Sequence, residues 1–305
     1  MRAFVTGGHG FVGHWLSTHL DQAGDEVVAA GADVDVTDPP SLEAAMADAR
    51  PDAVYHLAAL THVGRSWDEA SDFLRVNAGG TLNVLESARR CRPAPRVLVV
   101  SSAEVYGAVR PEDVPVDESA PLRPVSPYAA SKAAAELLGL QAHLGRGLAV
   151  VRARAFNHAG PGQGHSFVVP ALARRIVAAA AAGRSVVPVG NLSPRRDVTD
   201  VRDVVRAYRL LIERGQPGEV YNVCSGRDVA VAELARRLLA LAGADLAFEP
   251  DPELARPVDT PVLVGDATRL REATGWEPVV PLDETLAAVL DQARMDLGVT
   301  PGERS

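Results

Sequence analysis

Arg2 to Val5 reads as a short buried strand, and the stretch that follows it constrains the fold more than any other part of the chain. That stretch is Thr6-Gly7-Gly8-His9-Gly10-Phe11-Val12-Gly13, and a helical run through Trp15, Leu16 and Leu20 comes next. Gly8, Gly10 and Gly13 fit G-x-G-x-x-G, while Gly7, Gly10 and Gly13 fit a related spacing with a threonine in front. Glycines at a strand-to-helix turn permit the tight turn and let backbone N–H groups approach a pyrophosphate at the helix N-terminus. The alternative, a glycine-rich turn with no ligand, is argued against by the strand before it and the amphipathic helix after it. The expectation is a dinucleotide cradle at Gly7, Gly10, Phe11, Val12 and Gly13.

The rest of the first half keeps alternating. Strands are predicted at 26–30, 53–59, 96–100 and 148–155, and helices at 41–49, capped by Ser41, and at 72–90, which includes Asn77. Such alternation predicts an α/β, Rossmann-type doubly wound parallel sheet, with ligands beyond the carboxyl ends of its strands. Leu57, Ala58 and Ala59 end one strand in small residues, so a cofactor has room to lie across the tip. Asp33 lies twenty residues past Gly13, where a ribose-binding carboxylate is expected, and Asp35 with Val36 follows closely. No arginine lies between Val28 and Pro40 to hold a 2′-phosphate, so NADH is expected to serve at least as well as NADPH.

Beyond Asn157 the pattern changes. A Gly/Pro-rich run, Phe156 to Gln163, reads as a loop and substrate wall, with His158 and His165 as loop residues. Residues 190–197 read as a basic loop and Arg256-Pro257 as a second arginine-bearing one. Residues 1–157 are expected to form the dinucleotide-binding domain. Residues 158–305 are expected to form a smaller α/β substrate region, with about 197–224 returning to the first sheet.

Lys132 is the only lysine; the other thirty of the 31 basic residues are arginine. Arginine is a fixed, forked cation, whereas lysine is a compact charge with a tunable pKa, so a site needing the second cannot accept the first. Tyr128 lies four residues earlier, on the same helical face, behind an apparent Ser126 cap and Pro127 at the first helical position. The predicted chemistry is a tyrosine acid/base whose pKa the ammonium lowers toward neutrality.

Composition excludes other classes. A net charge of −8 argues against a general nucleic-acid surface. Cys91 and Cys224 are far apart and have no metal spacing, so neither a zinc site nor a disulfide framework is expected. No apolar run reaches transmembrane length, and Met1 leads directly into a strand, so a cytoplasmic protein away from membranes is expected.

Together these residues resemble the extended short-chain dehydrogenase/reductase superfamily, in its NAD-dependent epimerase/dehydratase branch. The likeness covers nearly the whole chain. The Thr6–Gly13 loop, His56-Leu57-Ala58-Ala59, Ser101-Ser102-Ala103-Glu104-Val105-Tyr106-Gly107 and the Tyr128–Lys132 pair carry it. Phe156 to Gln163, Arg196 to Asp203 and Tyr221 to Gly226 are most similar to the group of GDP-4-keto-6-deoxy-D-mannose reductases and GDP-mannose 4,6-dehydratases.

The resemblance implies an NAD(H)- or NADP(H)-dependent enzyme acting on a sugar nucleotide, GDP-linked by preference, and a homodimer formed through the helices near 72–90 and 128–143. Ser102 would bond the sugar C4 oxygen, Tyr128 donate the proton and Lys132 hold the nicotinamide ribose. Glu104 sits where the dehydratases place an acid/base. Asn77 would join the cofactor contacts, and Asn157, Val168, Asn191, Arg196 and Arg256 the substrate contacts. The first reading is a reductase making GDP-D-rhamnose. A 4,6-dehydratase, a 4-epimerase and a ketoreductase on a dTDP- or CDP-linked sugar stay open. A non-catalytic sensor is disfavoured because Tyr128 and Lys132 are both kept.

Overall fold

The computed structural model describes residues 1–31, 34–254 and 260–299; Asp33 and Arg256 lie outside the described residues. The first half runs β1 (Arg2–Thr6), α1 (Phe11–Gln22), β2 (Glu26–Ala29), α2 (Pro39–Ala49), β3 (Ala53–His56) and α3 (Ala70–Phe73). A turn of π-helix (Leu74–Gly79) then leads into α4 (Gly80–Arg90), β4 (Arg96–Ser102), α5 (Pro127–Arg146) and β5 (Val150–Ala155). Next come β6 (Asn157–Ala159), α6 (Val168–Ala181), β7 (Val186–Val189), β8 (Arg195–Asp200), α7 (Val201–Arg214) and β9 (Val220–Val223). The chain continues through β10 (Asp228–Ala230), α8 (Val231–Ala242), β11 (Ala247–Pro250), β12 (Val262–Leu263), α9 (Thr268–Thr274) and α10 (Leu282–Leu297).

The main sheet has the order β2-β1-β3-β4-β5-β9, and every neighbouring pair is parallel. Successive residues of a strand face opposite sides, and the packing follows that period. Ala3, Val5, Ala53, Tyr55, Leu98, Val151 and Ala153 join one apolar cluster with Leu16 of α1 and Val204 and Leu211 of α7. Phe4, Val54, Val97, Val99 and Val150 join another with Leu42 and Met46 of α2 and Val84 and Leu85 of α4. The sheet is therefore covered on both faces, as a Rossmann-type fold requires. The strand order reverses between β1 and β3, so the switch point, where such sheets bind ligands, lies at the glycine turn.

A second group of strands is organised differently. β8 pairs with β10 antiparallel and with β6 and β12 in parallel, while β7 pairs with β11. A separate apolar cluster joins Leu172 and Ile176 of α6, Leu234 and Leu238 of α8, and Leu286 and Leu290 of α10.

Three local expectations change. The helix expected at 41–49 begins at Pro39, with Asp38 rather than Ser41 before it, because two prolines in succession suit the first helical turn. The helix expected at 72–90 is interrupted by the π turn around Asn77. The second half of the basic loop at 190–197 is strand: its partners come from segments 157–159, 228–230 and 262–263, which local pattern cannot bring together. Among the described residues no helix is long and apolar enough to cross a membrane, and no cluster of acidic, histidine or cysteine side chains is arranged to hold a metal.

Candidate active site

The glycine turn is held shut by its own backbone. Gly10 N donates to Gly7 O at 3.0 Å, and Gly7 has φ +70°, a conformation few L side chains adopt. A methyl group on Gly13 would sit 2.2 Å from Gly7 O, so only glycine lets α1 pack this close to the turn. Gly10 is the N-cap of α1 and supplies no side-chain cap, leaving the first N–H groups of the helix without side-chain partners. That is a fitting cradle for a pyrophosphate.

Beside the turn opens a cavity of about 440 Å³. Gly7, Gly10, Phe11, Val12 and Gly13 line it from one side, and Leu57, Ala58 and Ala59 from the tip of β3. Ser102, Glu104, Tyr128 and Lys132 line the opposite side. The chain thus brings the expected cofactor turn and all four expected catalytic groups to one space.

Ser102 ends β4, where its Oγ accepts from Glu104 N at 3.2 Å and caps the short 3₁₀ turn carrying Glu104. Ser126 caps α5, its Oγ accepting from Ala129 N at 3.1 Å with Pro127 first in the helix, as the sequence predicts. Tyr128 follows in the first turn, its ring edge-on to Phe73. Burial pushes the phenol pKa up to about 12; the Ser102 hydroxyl pulls it down and the Glu104 charge adds to the rise. This corrects the expectation of a phenol lowered toward neutrality: the loss of water around Tyr128 outweighs what its neighbours supply. The lowering falls on Lys132 instead, which burial brings down to about 8 while Glu136 pushes it back up.

Glu136 lies one turn beyond Lys132 and anchors the helix. Its carboxylate accepts from Arg154 Nη2 at 2.7 Å and Arg154 Nε at 3.0 Å, with Arg152 Nη1 at 3.6 Å. Glu136 is 1 % exposed, so removing one partner of this cluster would strand a buried charge.

A second, smaller cavity of about 110 Å³ lies next to β8. Asn157, Val168, Asn191 and Arg196, all expected to contact substrate, line it, and Asn157 lines both cavities. Arg196 Nη1 donates to Arg195 O at 2.9 Å and Thr260 O at 2.7 Å, so part of its guanidinium fixes the loop.

Three expected cofactor residues are placed elsewhere. Asp35 is exposed and accepts from Thr37 N at 2.8 Å, and Val36 is buried against Gly80. Asn77 is buried with its side chain spent on Leu60 and Ser131. None of the three lines the larger cavity.

The structure also adds residues. His158 lines the cavity and stacks on Phe11 at 6.1 Å between centroids, and it stands in β6, so part of the loop expected at 156–163 is strand. Its Nδ1 lies 3.0 Å from Phe156 O, which can only accept, so the proton sits on Nδ1, and burial lowers its pKa. Tyr208 of α7 reaches the same cavity, and Arg175 of α6 the smaller one. Tyr208 belongs to an amphipathic helix and reads as core, so no sequence signal marks it. The Arg174-Arg175 pair is visible in the sequence but reads as a solvated flank.

Four likenesses to known proteins bear on this geometry. Residues 30–289 match the family model described as GDP-mannose 4,6 dehydratase. The chain is 37% identical over 294 residues to the GDP-6-deoxy-D-mannose reductase of Pseudomonas aeruginosa, covering 95% of this chain and 96% of that protein. The structure of RMD from Pseudomonas aeruginosa complexed with NADPH superposes with a TM-score of 0.90 at 35% identity, over 97% of this chain and all of the other. The Thermus thermophilus UDP-glucose 4-epimerase complexed with NAD superposes with a TM-score of 0.86 at 30% identity, over 96% and 99%. Glycine turn, serine, tyrosine and lysine thus stand on a fold shared with sugar-nucleotide enzymes, and the chain belongs to the GDP-mannose 4,6-dehydratase family of extended short-chain dehydrogenases/reductases.

Proposed function

We propose that this protein is an NAD(P)H-dependent reductase of a nucleotide-diphospho-4-keto-6-deoxy sugar, converting GDP-4-keto-6-deoxy-D-mannose to GDP-D-rhamnose or its C4 epimer. The observation that carries the reading is the buried Tyr128 phenol, kept protonated by burial and lining, with Ser102 and Lys132, the cavity that also contains the glycine turn. The likeness to a GDP-6-deoxy-D-mannose reductase over nearly the full length supports it.

A nicotinamide cofactor held in the larger cavity would supply a hydride to C4. Ser102 and Tyr128 act on the carbonyl oxygen: both donate to it, and Tyr128 releases its proton to the alkoxide that forms. Lys132 holds the nicotinamide ribose and offsets the charge left on the phenolate. The glycine turn and the α1 N-terminus take the pyrophosphate, and Leu57, Ala58 and Ala59 leave room for the cofactor across the tip of β3. Either dinucleotide suits the cradle: Arg75 Nη1 donates to Thr37 Oγ1 at 3.2 Å, supplying beside this segment a cation that positions 28–40 lack. Asn157, Asn191, Arg175 and Arg196 would hold the nucleotide diphosphate in the smaller cavity. We infer a homodimer and, from the unpaired Cys91 and Cys224, a reducing cytoplasmic setting.

A second reading, the 4,6-dehydratase, is favoured by Glu104 on the cavity wall. Dehydration needs such a carboxyl group, because water must be eliminated across C5 and C6 between two hydride transfers. Two incubations separate the readings. GDP-mannose with oxidised cofactor should remain unchanged, while the 4-keto sugar with reduced cofactor should be consumed with matching loss of NAD(P)H absorbance. A 4-keto product in the first tube makes the protein a dehydratase. Inactivity in the second, with turnover of a dTDP-linked ketone, keeps the chemistry and changes the substrate.

A further inference from the structure

Beneath the larger cavity runs a buried hydrogen-bonded chain that the proposed reaction does not use. At its centre is His56, the last residue of β3, 4 % exposed. Its Nδ1 lies 2.8 Å from Thr6 Oγ1 and its Nε2 2.9 Å from Thr81 Oγ1. Thr6 ends β1 and leads into the glycine turn, and Thr81 stands in the first turn of α4.

The outer ends fix the direction of every bond. Asn77 O can only accept and lies 2.5 Å from Thr81 Oγ1, so the Thr81 proton points to it. Thr81 Oγ1 must then accept, and His56 Nε2 carries the hydrogen. A neutral imidazole protonated on Nε2 has a lone pair on Nδ1, so the Thr6 hydroxyl donates there. Thr6 Oγ1 in turn accepts from Ala58 N at 3.3 Å. Burial and the Lys132 ammonium both oppose a second proton on the ring.

The chain continues to the catalytic helix. Asn77 Oδ1 accepts from Leu60 N at 2.8 Å, and its Nδ2 donates to Leu60 O at 3.0 Å and Ser131 Oγ at 2.9 Å. Ser131 Oγ donates to Tyr128 O at 2.7 Å. One unbroken path therefore joins the glycine turn, the β3 tip, the π turn and the backbone of Tyr128.

We propose that His56, as the neutral Nε2–H tautomer, is a positioning residue with two separable outputs. Through Thr6 it sets the cofactor cradle against the tip of β3. Through Thr81 and Asn77 it sets the register of the helix that carries Tyr128 and Lys132. An imidazole suits this place because one rigid ring offers a donor and an acceptor in opposite directions. The turnover arm of the test rests on the reductase reading; the tautomer and cofactor-binding arms do not, and a wrong substrate would show as inactivity of the unsubstituted protein.

Nitrogen NMR of the histidine-labelled protein should show His56 as the Nε2–H tautomer without titration between about pH 5 and pH 9. An Nδ1–H pattern, or titration in that range, would overturn the inference. His56→Asn places an acceptor where Nδ1 was and keeps the Thr6 link alone. It should leave the cofactor Kd unchanged and lower kcat by up to about tenfold, the scale of one net hydrogen bond. His56→Gln places a donor toward Thr81 and should do the reverse, weakening the cofactor with kcat nearly kept. Equal effects of both variants on both parameters would contradict two outputs. If neither variant folds, Thr81→Val should lower kcat with the cofactor Kd unchanged, and Thr81→Ser should restore it; failure of the serine to rescue would also overturn the inference.

Discussion

The larger cavity is built mainly on the six-stranded sheet and the smaller one mainly on the strands around β8, and the two are built in different ways. The larger cavity takes most of its residues from short runs at the tips of parallel strands: Gly7 to Gly13 after β1, Leu57 to Ala59 after β3, Val100 to Glu104 at the end of β4, and Ala155 to His158 from the end of β5 into β6, with Tyr128 and Lys132 of α5 and Tyr208 of α7 added to the wall. The smaller cavity draws Val168 and Arg175 from α6, Asn191 from a loop, Arg196 from β8, Val231 from α8 and Leu254 from the segment before β12. Its strands pair in both directions and over long sequence separations. Fixed strand tips suit chemistry, which needs groups held in one geometry. A surface assembled from scattered segments suits recognition, because one contact can change without moving the others.

Tyr128→Phe should separate the halves most sharply. Removing the proton donor should lower turnover by roughly 10² to 10⁴, with the affinities for cofactor and sugar nucleotide nearly intact, as steady-state kinetics and calorimetry would read. Turnover within a few-fold of the unsubstituted protein would mean that the cavity's chemistry resides elsewhere.

Lys132 comes next. Lys132→Arg keeps the charge but changes its shape, and should weaken cofactor binding and lower activity. The pH dependence adds a sign. Burial brings the lysine down to about 8, so the ammonium is present below that pH and is lost as pH rises through it. Cofactor affinity should therefore fall on the alkaline side near pH 8. Glu136 pushes the lysine upward, so Glu136→Gln should move that limb to lower pH, with a stability loss of about 3–5 kcal/mol from the stranded arginines. A limb that stays in place, or moves to higher pH, would disconnect Glu136 from the site.

The same contrast explains what was legible in the sequence. The glycine turn, Ser102, and Tyr128 with Lys132 were readable because strand-turn-helix units keep their functional residues adjacent in the chain. Val168, Asn191 and Arg196 came as substrate contacts only from resemblance, whereas Asn157 also lies in the Gly/Pro-rich run that pattern marks as a substrate wall; nothing in local pattern joins positions 168 and 191. Strand β8 was missed for the same reason, since its three partners are all distant in sequence. Arg75 was invisible to a search of positions 28–40, because it reaches Thr37 from the π turn. The direction of the Tyr128 shift was wrong because burial, which sequence spacing does not measure, outweighs a neighbouring charge.

In the recognition half, a single cation should matter modestly. Arg175 lines the smaller cavity beside Asn191 and Arg196. A charge-assisted hydrogen bond contributes about 1.5–3 kcal/mol, so Arg175→Gln should raise KM for the sugar nucleotide by roughly ten- to a hundredfold. The cofactor KM and kcat at saturation should change little. A fall in kcat with KM unchanged would place Arg175 with the chemistry and erase the contrast.

The smallest expected effect on activity concerns the outer face of the first half. Leu82 of α4 and Leu137 and Leu144 of α5 are exposed, Leu144 by 75%, on helices that pack against each other, and Leu74 of the π turn is exposed nearby. Exposed leucines scattered singly need no explanation, but several on adjoining helices mark a surface suited to a second copy. The chain's mass is 32.1 kDa, so light scattering should give about twice that value if the face pairs. Leu137→Asp combined with Leu144→Asp would set charges into the contact and should return the mass to that of one chain. Neither leucine lines either of these two cavities, so activity should stay within about twofold. Tyr128 and Lys132 share α5 with both leucines, however, and that shared helix gives the experiment its second use. A large activity loss on dissociation would show that pairing holds the catalytic helix in place, coupling the outer face to the chemistry. A protein that is already monomeric at working concentration would remove the dimer and leave the helix anchored by contacts within one chain, Glu136 and Ser131 among them.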